Sequence, residues 1–313
     1  MLTGKLAFAL VCALPLSLAA ASDPKPVATL AMPCESYTQI ISPAGNQIAV
    51  VCQDQTFHIF DIPSGAEKRS SDPGSVNGFE FSRDGRWFAL SRTDGTVEIR
   101  STSGSRPAKT FHVQPPARIL DFADLGSVVI RLVDAPGQIW DVRDTPKQIA
   151  TLQNDFSHLT DAAFSPDGKL LVTADGDTVI RYYDTSIWKM VHEYRGLLLE
   201  TFTIAFTADG KHVLVGGAED HITELDLSGV EERRIQKDDG VVYAISPFGN
   251  SGDAVVRYFD GEGRAPAHAS FWNLATGKSS AFGGTLPTGA GRVNEQTWFA
   301  TRKDKSLVIS RYE

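Results

Sequence analysis

Six arginines hold related places in the sequence and could together bind an anion. Four of them stand two or three residues before an aspartate at the end of a predicted strand, and two stand in loops that lead into predicted strands. The four are Arg92, Arg131, Arg257 and Arg302, and the two in loops are Arg118 and Arg292. Arginine is the planar, permanently charged partner of carboxylates and phosphates. If these side chains meet, they form a candidate site for an anion or an acidic peptide.

The same spacing allows a simpler interpretation, in which each arginine pairs with the aspartate of its own turn. Arg92 stands two residues before Asp94, and Arg131 stands three residues before Asp134. Neighbouring residues of a strand point to opposite faces, so these two arginines cannot both face the same site. Both interpretations remain open from the sequence.

Motifs of catalysis or metal binding are missing from the sequence. His192-Glu193 is not followed by the second histidine of a zinc protease, and Gly277-Lys278-Ser279 has Trp272 where a phosphate loop needs glycine. There is no Gly-x-Ser-x-Gly and no Cys-x-x-Cys-His, and the histidines show no metal-ligand spacing. We therefore expect no catalytic residue, no metal and no cofactor.

Cys34 and Cys52 are the two cysteines outside the N-terminal apolar segment. Cys34 precedes a predicted strand and Cys52 ends the next one, where the simplest register places it opposite Tyr37. A disulfide tolerates only about 4.4–6.8 Å between its Cα atoms, so a bridge requires the chain to bend at Cys34. The spacing leaves open both a disulfide and two free thiols.

The N-terminal segment has the arrangement of a secretory signal peptide. Lys5 is followed by an apolar run from Leu6 to Leu18 and by three alanines that end at Ala21. We expect cleavage after Ala21, which makes residues 1–21 the signal peptide and predicts a periplasmic or secreted protein. The apolar run is shorter than the ~20 residues of a membrane span. The alternative is an N-terminal anchor, and no later segment is apolar enough to span a bilayer.

The composition is that of a globular protein with an acidic balance. The formal net charge is −8 at pH 7, and no run of lysines and arginines interrupts it. A protein that binds nucleic acid or an anionic membrane needs a basic patch. The composition therefore argues against both kinds of partner.

The elements that must position the arginines come from an internal repeat. Phe164-Ser165-Pro166-Asp167-Gly168 recurs as Phe81–Gly85 and Phe206–Gly210, and degraded copies begin at residues 41, 122 and 245. The glycines of these copies are 39 to 42 residues apart. Proline, aspartate and glycine in this order are typical of a tight turn, and the apolar runs on either side are typical of strands.

A second signal follows several of the turns. It consists of two aspartates seven residues apart, with a predicted strand of alternating apolar and polar residues between them. The copy from Asp134 to Asp141 ends in Ile139-Trp140-Asp141. Together with the turn, this pattern resembles the WD40-repeat family and its looser, YVTN-type bacterial relatives, over residues 22–313. The resemblance implies an all-β fold: one seven-bladed β-propeller of four-stranded antiparallel blades, in an exported bacterial member of the family. The family's Gly-His dipeptide is missing from every repeat, so we expect the blades to rest on hydrophobic packing and strand pairing.

The predicted ring needs a strand from the N-terminus. The seventh blade ends with Ser306–Arg311 and lacks its fourth strand, which Val27–Leu30 can supply. Closure of the ring removes two exposed sheet edges. In such a ring the six arginines approach one mouth of the central channel.

The resemblance implies a non-catalytic scaffold that binds a protein or peptide partner through its loop rim, as a monomeric fold in the exported compartment. The alternative is a periplasmic propeller enzyme, lactonase-like or quinoprotein-like, with a site at the central channel. Such an enzyme should bring acidic or histidine ligands together from several blades. The residue that recurs in this sequence is arginine.

Overall fold

The computed structural model describes residues 25–32, 34, 36–43, 45–70, 76–103, 107–123, 127–132, 135–153, 158–176, 178–236, 240–248, 253–259, 266–281, 287–293, 296–303 and 306–312. Within these ranges the chain forms 28 β-strands. The strands assemble into seven four-stranded antiparallel sheets, which we call blades and number in chain order. The prediction of an all-β propeller with four-stranded antiparallel blades is confirmed.

The strands follow the chain from the innermost to the outermost position of each blade, except for β1 (Lys25–Ala31), which belongs to the last blade. Blade 1 consists of β2 (Ser36–Ile41), β3 (Gln47–Cys52), β4 (Phe57–Asp61) and β5 (Glu67–Ser70). Blade 2 consists of β6 (Val76–Phe81), β7 (Trp87–Arg92), β8 (Thr96–Ser101) and β9 (Pro107–His112). Blade 3 consists of β10 (Ala117–Phe122), β11 (Ser127–Leu132), β12 (Ala135–Asp141) and β13 (Lys147–Thr151).

The later blades repeat this order. Blade 4 consists of β14 (Leu159–Phe164), β15 (Leu170–Asp175), β16 (Ile180–Asp184) and β17 (Lys189–Tyr194). Blade 5 consists of β18 (Thr201–Phe206), β19 (His212–Gly217), β20 (His221–Asp226) and β21 (Glu231–Gln236). Blade 6 consists of β22 (Val241–Phe248), β23 (Asp253–Phe259), β24 (Pro266–Asn273) and β25 (Lys278–Ala281). Blade 7 consists of β26 (Pro287–Val293), β27 (Gln296–Lys303), β28 (Ser306–Tyr312) and β1.

The repeated turn between the first two strands of a blade has one geometry in four blades. Its glycine has a positive φ, the left-handed conformation that glycine adopts without steric cost; these residues are Gly45, Gly85, Gly168 and Gly210. The amide of Gly168 donates a 2.8 Å hydrogen bond to the carbonyl of Ser165, and the Ser165 hydroxyl donates one of 2.7 Å to Asp167. The motif is therefore a turn signal with a local structural role.

Among the described residues, hydrophobic clusters join six pairs of neighbouring blades, since the two faces of a sheet pack on different neighbours. Five clusters span the boundaries from blades 1 and 2 through to blades 5 and 6. The innermost strand of blade 6 contacts that of blade 7, β22 against β26. A further cluster packs Leu30, Leu307 and Ile309 of blade 7 against Ile41 and Ile48 of blade 1.

The N-terminal strand β1 is the outermost strand of blade 7. It pairs antiparallel with β28, with Lys25 opposite Arg311 and Leu30 opposite Leu307. Leu30 is 1% exposed, whereas Val27 on the same strand is 44% exposed. This strand therefore buries one apolar side chain against the blade and leaves another in water.

Candidate functional site

The innermost strands of blades 1 to 6 surround a central cavity of about 1000 Å³. Backbone and side chains of β2, β6, β10, β14, β18 and β22 line it, together with Arg257 and Phe259 from the end of β23. His158 and Glu200 lie in the loops that lead into β14 and β18, at the same end of the cavity as Arg118. We call this cavity the central channel.

Each innermost strand carries a β-bulge in its pairing with the second strand of its blade. In blades 3, 4 and 6 the bulges fall between Ile119 and Asp121, between Leu159 and Asp161, and between Val242 and Ala244; the other four blades show the same one-residue shift. A bulge moves the residues that follow it to the opposite face of the strand and increases the local twist. The bulges therefore decide which side chains face the channel.

Two aspartates of the channel wall link successive innermost strands. The carboxylate of Asp121 accepts 2.7 Å hydrogen bonds from the amides of Phe122 and of Phe164 in the next blade. The carboxylate of Asp161 accepts 2.9 Å hydrogen bonds from the amides of Ala162 and of Ile204 in the blade after that. Both oxygens of each carboxylate thus contact backbone donors, so these aspartates stabilise the contacts between neighbouring blades.

Burial shifts the ionisation of two acids in the same wall. Burial and the nearby charge of Asp121 raise the pKa of Glu80 to about 8, although Arg118 opposes the shift. Burial also raises the pKa of Asp161 to about 6. The two amide hydrogen bonds favour its charged form and so reduce this rise. At pH 7 the Glu80 carboxyl is therefore mostly protonated, whereas Asp161 is mostly ionised.

Arg118 and Arg257 are the two arginines of the predicted set whose described side chains line the channel. Arg118 is exposed and interacts electrostatically with Glu80 and Asp161. The guanidinium of Arg257 lies 5.4 Å from the ring centroid of Tyr243, within the range of a cation–π contact. Burial lowers the pKa of Arg257, and Tyr243 partly offsets this effect.

Arg83 reaches across one mouth of the channel. It lies in the turn of blade 2, and its guanidinium donates to the carbonyls of Ser165 at 2.6 Å, Pro166 at 3.0 Å and Phe164 at 3.0 Å. These acceptors belong to the turn of blade 4. The side chain therefore spans the position of blade 3 and bounds the channel at the end opposite to Arg118.

The remaining predicted arginines are placed differently. Arg92 pairs with Glu98 on the neighbouring strand, to which its Nε donates at 2.5 Å, and its charge also acts on Asp94 in its own turn. Asp94 instead accepts a 2.8 Å hydrogen bond from the amide of Thr96. Arg131, Arg292 and Arg302 lie in β11, β26 and β27, and their side chains are outside the described part of the structure.

Cys34 and Cys52 form a disulfide with 5.9 Å between their Cα atoms. Cys34 lies in the segment that leads from β1 in blade 7 to β2 in blade 1, and Cys52 ends β3. Ser36 is the residue opposite Cys52, because the bulge before Thr38 shifts the register. The bridge therefore ties the segment that connects the two blades to the second strand of blade 1.

Ligand sets for a metal occur away from the channel in the described residues. His212, Glu224 and Glu232 of blade 5 bring their ligand atoms within 4.8 Å of one another. Arg233 donates to the Glu224 carboxylate at 2.6 Å, and its fixed charge opposes a cation at this place. The other two groups contain the bridged cysteines or use Glu219, whose carboxylate accepts the amides of Leu198 and Leu199.

The three acids of the channel wall, Glu80, Asp121 and Asp161, were not anticipated from the sequence. Each is an isolated acidic residue in an otherwise largely apolar innermost strand. That isolation is the signal that could have found them. They converge from three blades, as ligands of a propeller enzyme would, but Asp121 and Asp161 contact backbone amides.

Comparison with known proteins identifies the repeat. The WD40 family model, "WD domain, G-beta repeat", matches residues 146–184. The U3 small nucleolar RNA-associated protein 15 homolog of Xenopus tropicalis is 25% identical over 170 residues, which cover 52% of this chain and 32% of that protein. The chain thus spans about a third of the length of this relative.

Solved structures share the fold at low sequence identity. A chain in the crystal structure of the mitotic checkpoint complex superposes with a TM-score of 0.79 at 16% identity and covers 100% of both chains. The β-propeller domain of Cps50 (Swd1) from Myceliophteria thermophila gives a TM-score of 0.72 at 11% identity, over 93% of this chain and 99% of that one. At these identities the likeness concerns the fold alone.

The repeat match and the relatives support a WD40 β-propeller family for this chain, and the blade architecture is that of a β-propeller. Among the residues that the structure describes, there is no helix with the length and apolar character needed to cross a bilayer.

Proposed function

We propose that this protein is an exported, non-catalytic propeller scaffold that binds a segment of a protein or peptide partner at the mouth of the central channel that carries Arg118 and Arg257. The observation that carries the proposal is the presence of both arginines in one cavity of about 1000 Å³. The segment that fits best is acidic, because arginine binds carboxylates with two parallel hydrogen bonds.

One acid of the channel wall adds little repulsion against an anionic segment at this mouth. Glu80, with its pKa of about 8, carries little negative charge at neutral pH. The Asp121 carboxylate accepts two backbone amides, which satisfies part of its hydrogen-bonding capacity. Arg118 is exposed, so its guanidinium is accessible to a partner.

Export to the periplasm or the medium is part of the proposal. The Cys34–Cys52 disulfide fits an oxidising compartment, and the first 21 residues have the signal-peptide arrangement. Residues 1–21 are outside the described part of the structure. Thiol labelling of intact cells, with and without reductant, tests this step: the two cysteines should react only after reduction. Labelling before reduction would contradict export.

A closed ring of seven blades is the form in which we propose that the scaffold acts. The pairing of β1 with β28 supports closure, since it gives the last blade its fourth strand. A ring without free edges holds the loops of all blades in fixed positions, which reduces the ordering cost when a partner binds. We expect a monomer, because the described sheets need no second copy to complete them.

Quantitative partner capture from the native compartment tests the binding site. Arg118→Glu reverses the exposed charge at the mouth, and Arg257→Met keeps a long apolar stem against Tyr243 while removing the charge. Lys169→Glu is the matched control, since Lys169 is 83% exposed in the blade 4 turn at the other end of the channel. Melting curves should show that all variants are folded.

We expect the same partner on the wild type and on Lys169→Glu, with about tenfold less on Arg118→Glu, as for a truncated central contact. Equal recovery on all four proteins would contradict a site at this mouth. A stoichiometric metal or organic cofactor in the purified protein would instead favour an enzyme.

A further inference from the structure

A second, smaller cavity lies between blades 2 and 3, at the turn end of the propeller opposite to Arg118. Its volume is about 230 Å³, and we call it the blade 2–3 slot. Trp87 at the start of β7 and Ile99 in β8 line it from blade 2, and Phe122 and Val142 line it from blade 3. It shares no lining residue with the end of the channel that holds Arg118 and Arg257.

The floor of the slot is apolar and rigid. Ile99 and Phe122 are each 2% exposed, and Val142 is 4% exposed, so these side chains are held by the core between the two blades. Trp87 forms one wall and is 37% exposed. An exposed aromatic beside a fixed apolar depression is the type of contact that dominates binding energy at protein interfaces.

Basic side chains surround the opening of this apolar floor. Arg86 is 70% exposed, and its Nε forms a 2.6 Å ion pair with the carboxylate of Asp84. Arg143 is 65% exposed and pairs with the carboxylate of Asp141. Lys109 donates to the backbone carbonyls of Val142 and Arg143 across the blade boundary. A guanidinium has five N–H donors, so Arg86 and Arg143 keep donors for a further acceptor. Two further charges act at this place, since Asp144 interacts with Arg143 and Lys147 interacts with Asp141. With Asp84 and Asp141 included, four basic side chains stand beside three acidic ones.

We propose that the blade 2–3 slot binds a peptide segment of a protein partner in which one large apolar side chain is flanked by acidic residues. The apolar side chain packs on Phe122 and against Trp87, and the flanking carboxylates meet Arg86 and Arg143. The inference is independent of the channel site, since the slot shares no lining residue with the channel and lies at the end of the propeller opposite to Arg118.

The size and charge of the slot select this occupant. Pockets for small organic ligands measure about 300–1,000 Å³, so a volume of about 230 Å³ suits a single anchoring side chain better than a whole metabolite. The chain as a whole has a net charge of −8, so an acidic segment needs a locally basic surface in order to bind. The exposed guanidinium groups of Arg86 and Arg143, together with Lys109 and Lys147, give the slot an excess of one positive charge, which favours such a segment.

Titration with three capped pentapeptides tests the proposal on the wild-type protein. The probes are Glu-Glu-Phe-Glu-Glu, the same peptide with alanine in the centre, and Lys-Lys-Phe-Lys-Lys. The protein is labelled with 5-fluorotryptophan, and the ¹⁹F resonance of Trp87 is assigned by its loss in Trp87→Phe. We expect a saturable shift of this resonance with the first peptide, about tenfold weaker binding of the alanine peptide, and no binding of the lysine peptide.

The double variant Arg86→Glu/Arg143→Glu should bind the phenylalanine peptide about tenfold more weakly, whereas Lys169→Glu should bind it as the wild type does. Equal affinity for the phenylalanine and alanine peptides overturns the apolar anchor, and binding of the lysine peptide overturns the charge selection. A saturable interaction that leaves the Trp87 resonance unmoved overturns the location. The peptide series decides the question even where the double variant fails to fold.

Discussion

The guanidinium of Arg83 in blade 2 donates a 2.6 Å hydrogen bond to the backbone carbonyl of Ser165 in blade 4. Arg83 occupies the place in its turn motif that Pro166 holds in the copy it contacts. Proline at that place presets the turn, whereas arginine gives the turn a side chain long enough to reach another blade. The third position of the turn motif is thus arginine in blade 2 and proline in blade 4, and only the arginine is long enough to cross the channel mouth.

Arg83→Met should lower the free energy of unfolding by about 2 kcal/mol, because it removes charge-assisted hydrogen bonds to three backbone carbonyls. Urea denaturation followed by circular dichroism measures the change. Arg86→Met is the matched control, since Arg86 is two-thirds exposed and its ion pair with Asp84 is local. Equal stability of the two variants would show that the contacts across the mouth contribute nothing.

The stability of the protein should fall as the pH rises from about 5 to 8, partly because of Glu80. Burial raises the pKa of this carboxyl from 4.5 to about 8, so within this range the folded state retains a proton that the unfolded state has lost. Because the folded state binds this extra proton, low pH favours folding. The contribution of Glu80 to the free energy of unfolding therefore declines as the pH rises towards 8. Asp161 acts in the same direction between 3.8 and about 6.

Glu80→Gln should therefore be as stable as the wild type at about pH 5 and more stable above pH 8, because glutamine cannot ionise in the buried site. Melting temperatures across this range measure the effect. Glu200→Gln, at an exposed residue of the channel mouth, should show no such gain. A wild-type stability that rises steadily to pH 8.5 would be incompatible with this protonation of Glu80.

Leu30→Ala should destabilise the protein by about 3 kcal/mol, the usual range for a buried leucine in a packed core. Leu30 is 1% exposed and packs against Leu307 and Ile309. Val27→Ala on the same strand should cost about 0.5 kcal/mol or less, because Val27 is 44% exposed. Thermal unfolding of the two variants, with light scattering for aggregation, measures the difference. Similar melting curves would argue against β1 as an integral strand of the last blade.

The strands could be predicted closely because their signals are local. The sequence predicts strands over Val27–Leu30 and Ser306–Arg311, and the structure has β1 (Lys25–Ala31) and β28 (Ser306–Tyr312) at these places. The turn glycines need only their own backbone conformation, so Gly85 and Gly168 are recognisable from their neighbours in the chain.

The sequence predicted only part of the arginine site, because the faces to which the side chains point depend on the strand register. Arg118 precedes the bulge of β10, and the sequence does not reveal where a bulge falls. A one-residue shift moves every later side chain to the other face of its strand. Arg118 lines the channel from an innermost strand, whereas Arg92, at the end of the second strand β7, pairs with Glu98.

The amino-acid sequence by itself determined the repeat, the turns and the strands, since each depends on residues within one blade. Only the tertiary structure decided which residues of different blades meet: Arg83 with Ser165, Asp121 with Phe164, and Trp87 with Phe122 across the blade 2–3 slot. These partners are some 35 to 82 positions apart in the chain. Their distances depend on sheet packing and twist around the ring, which no local pattern specifies.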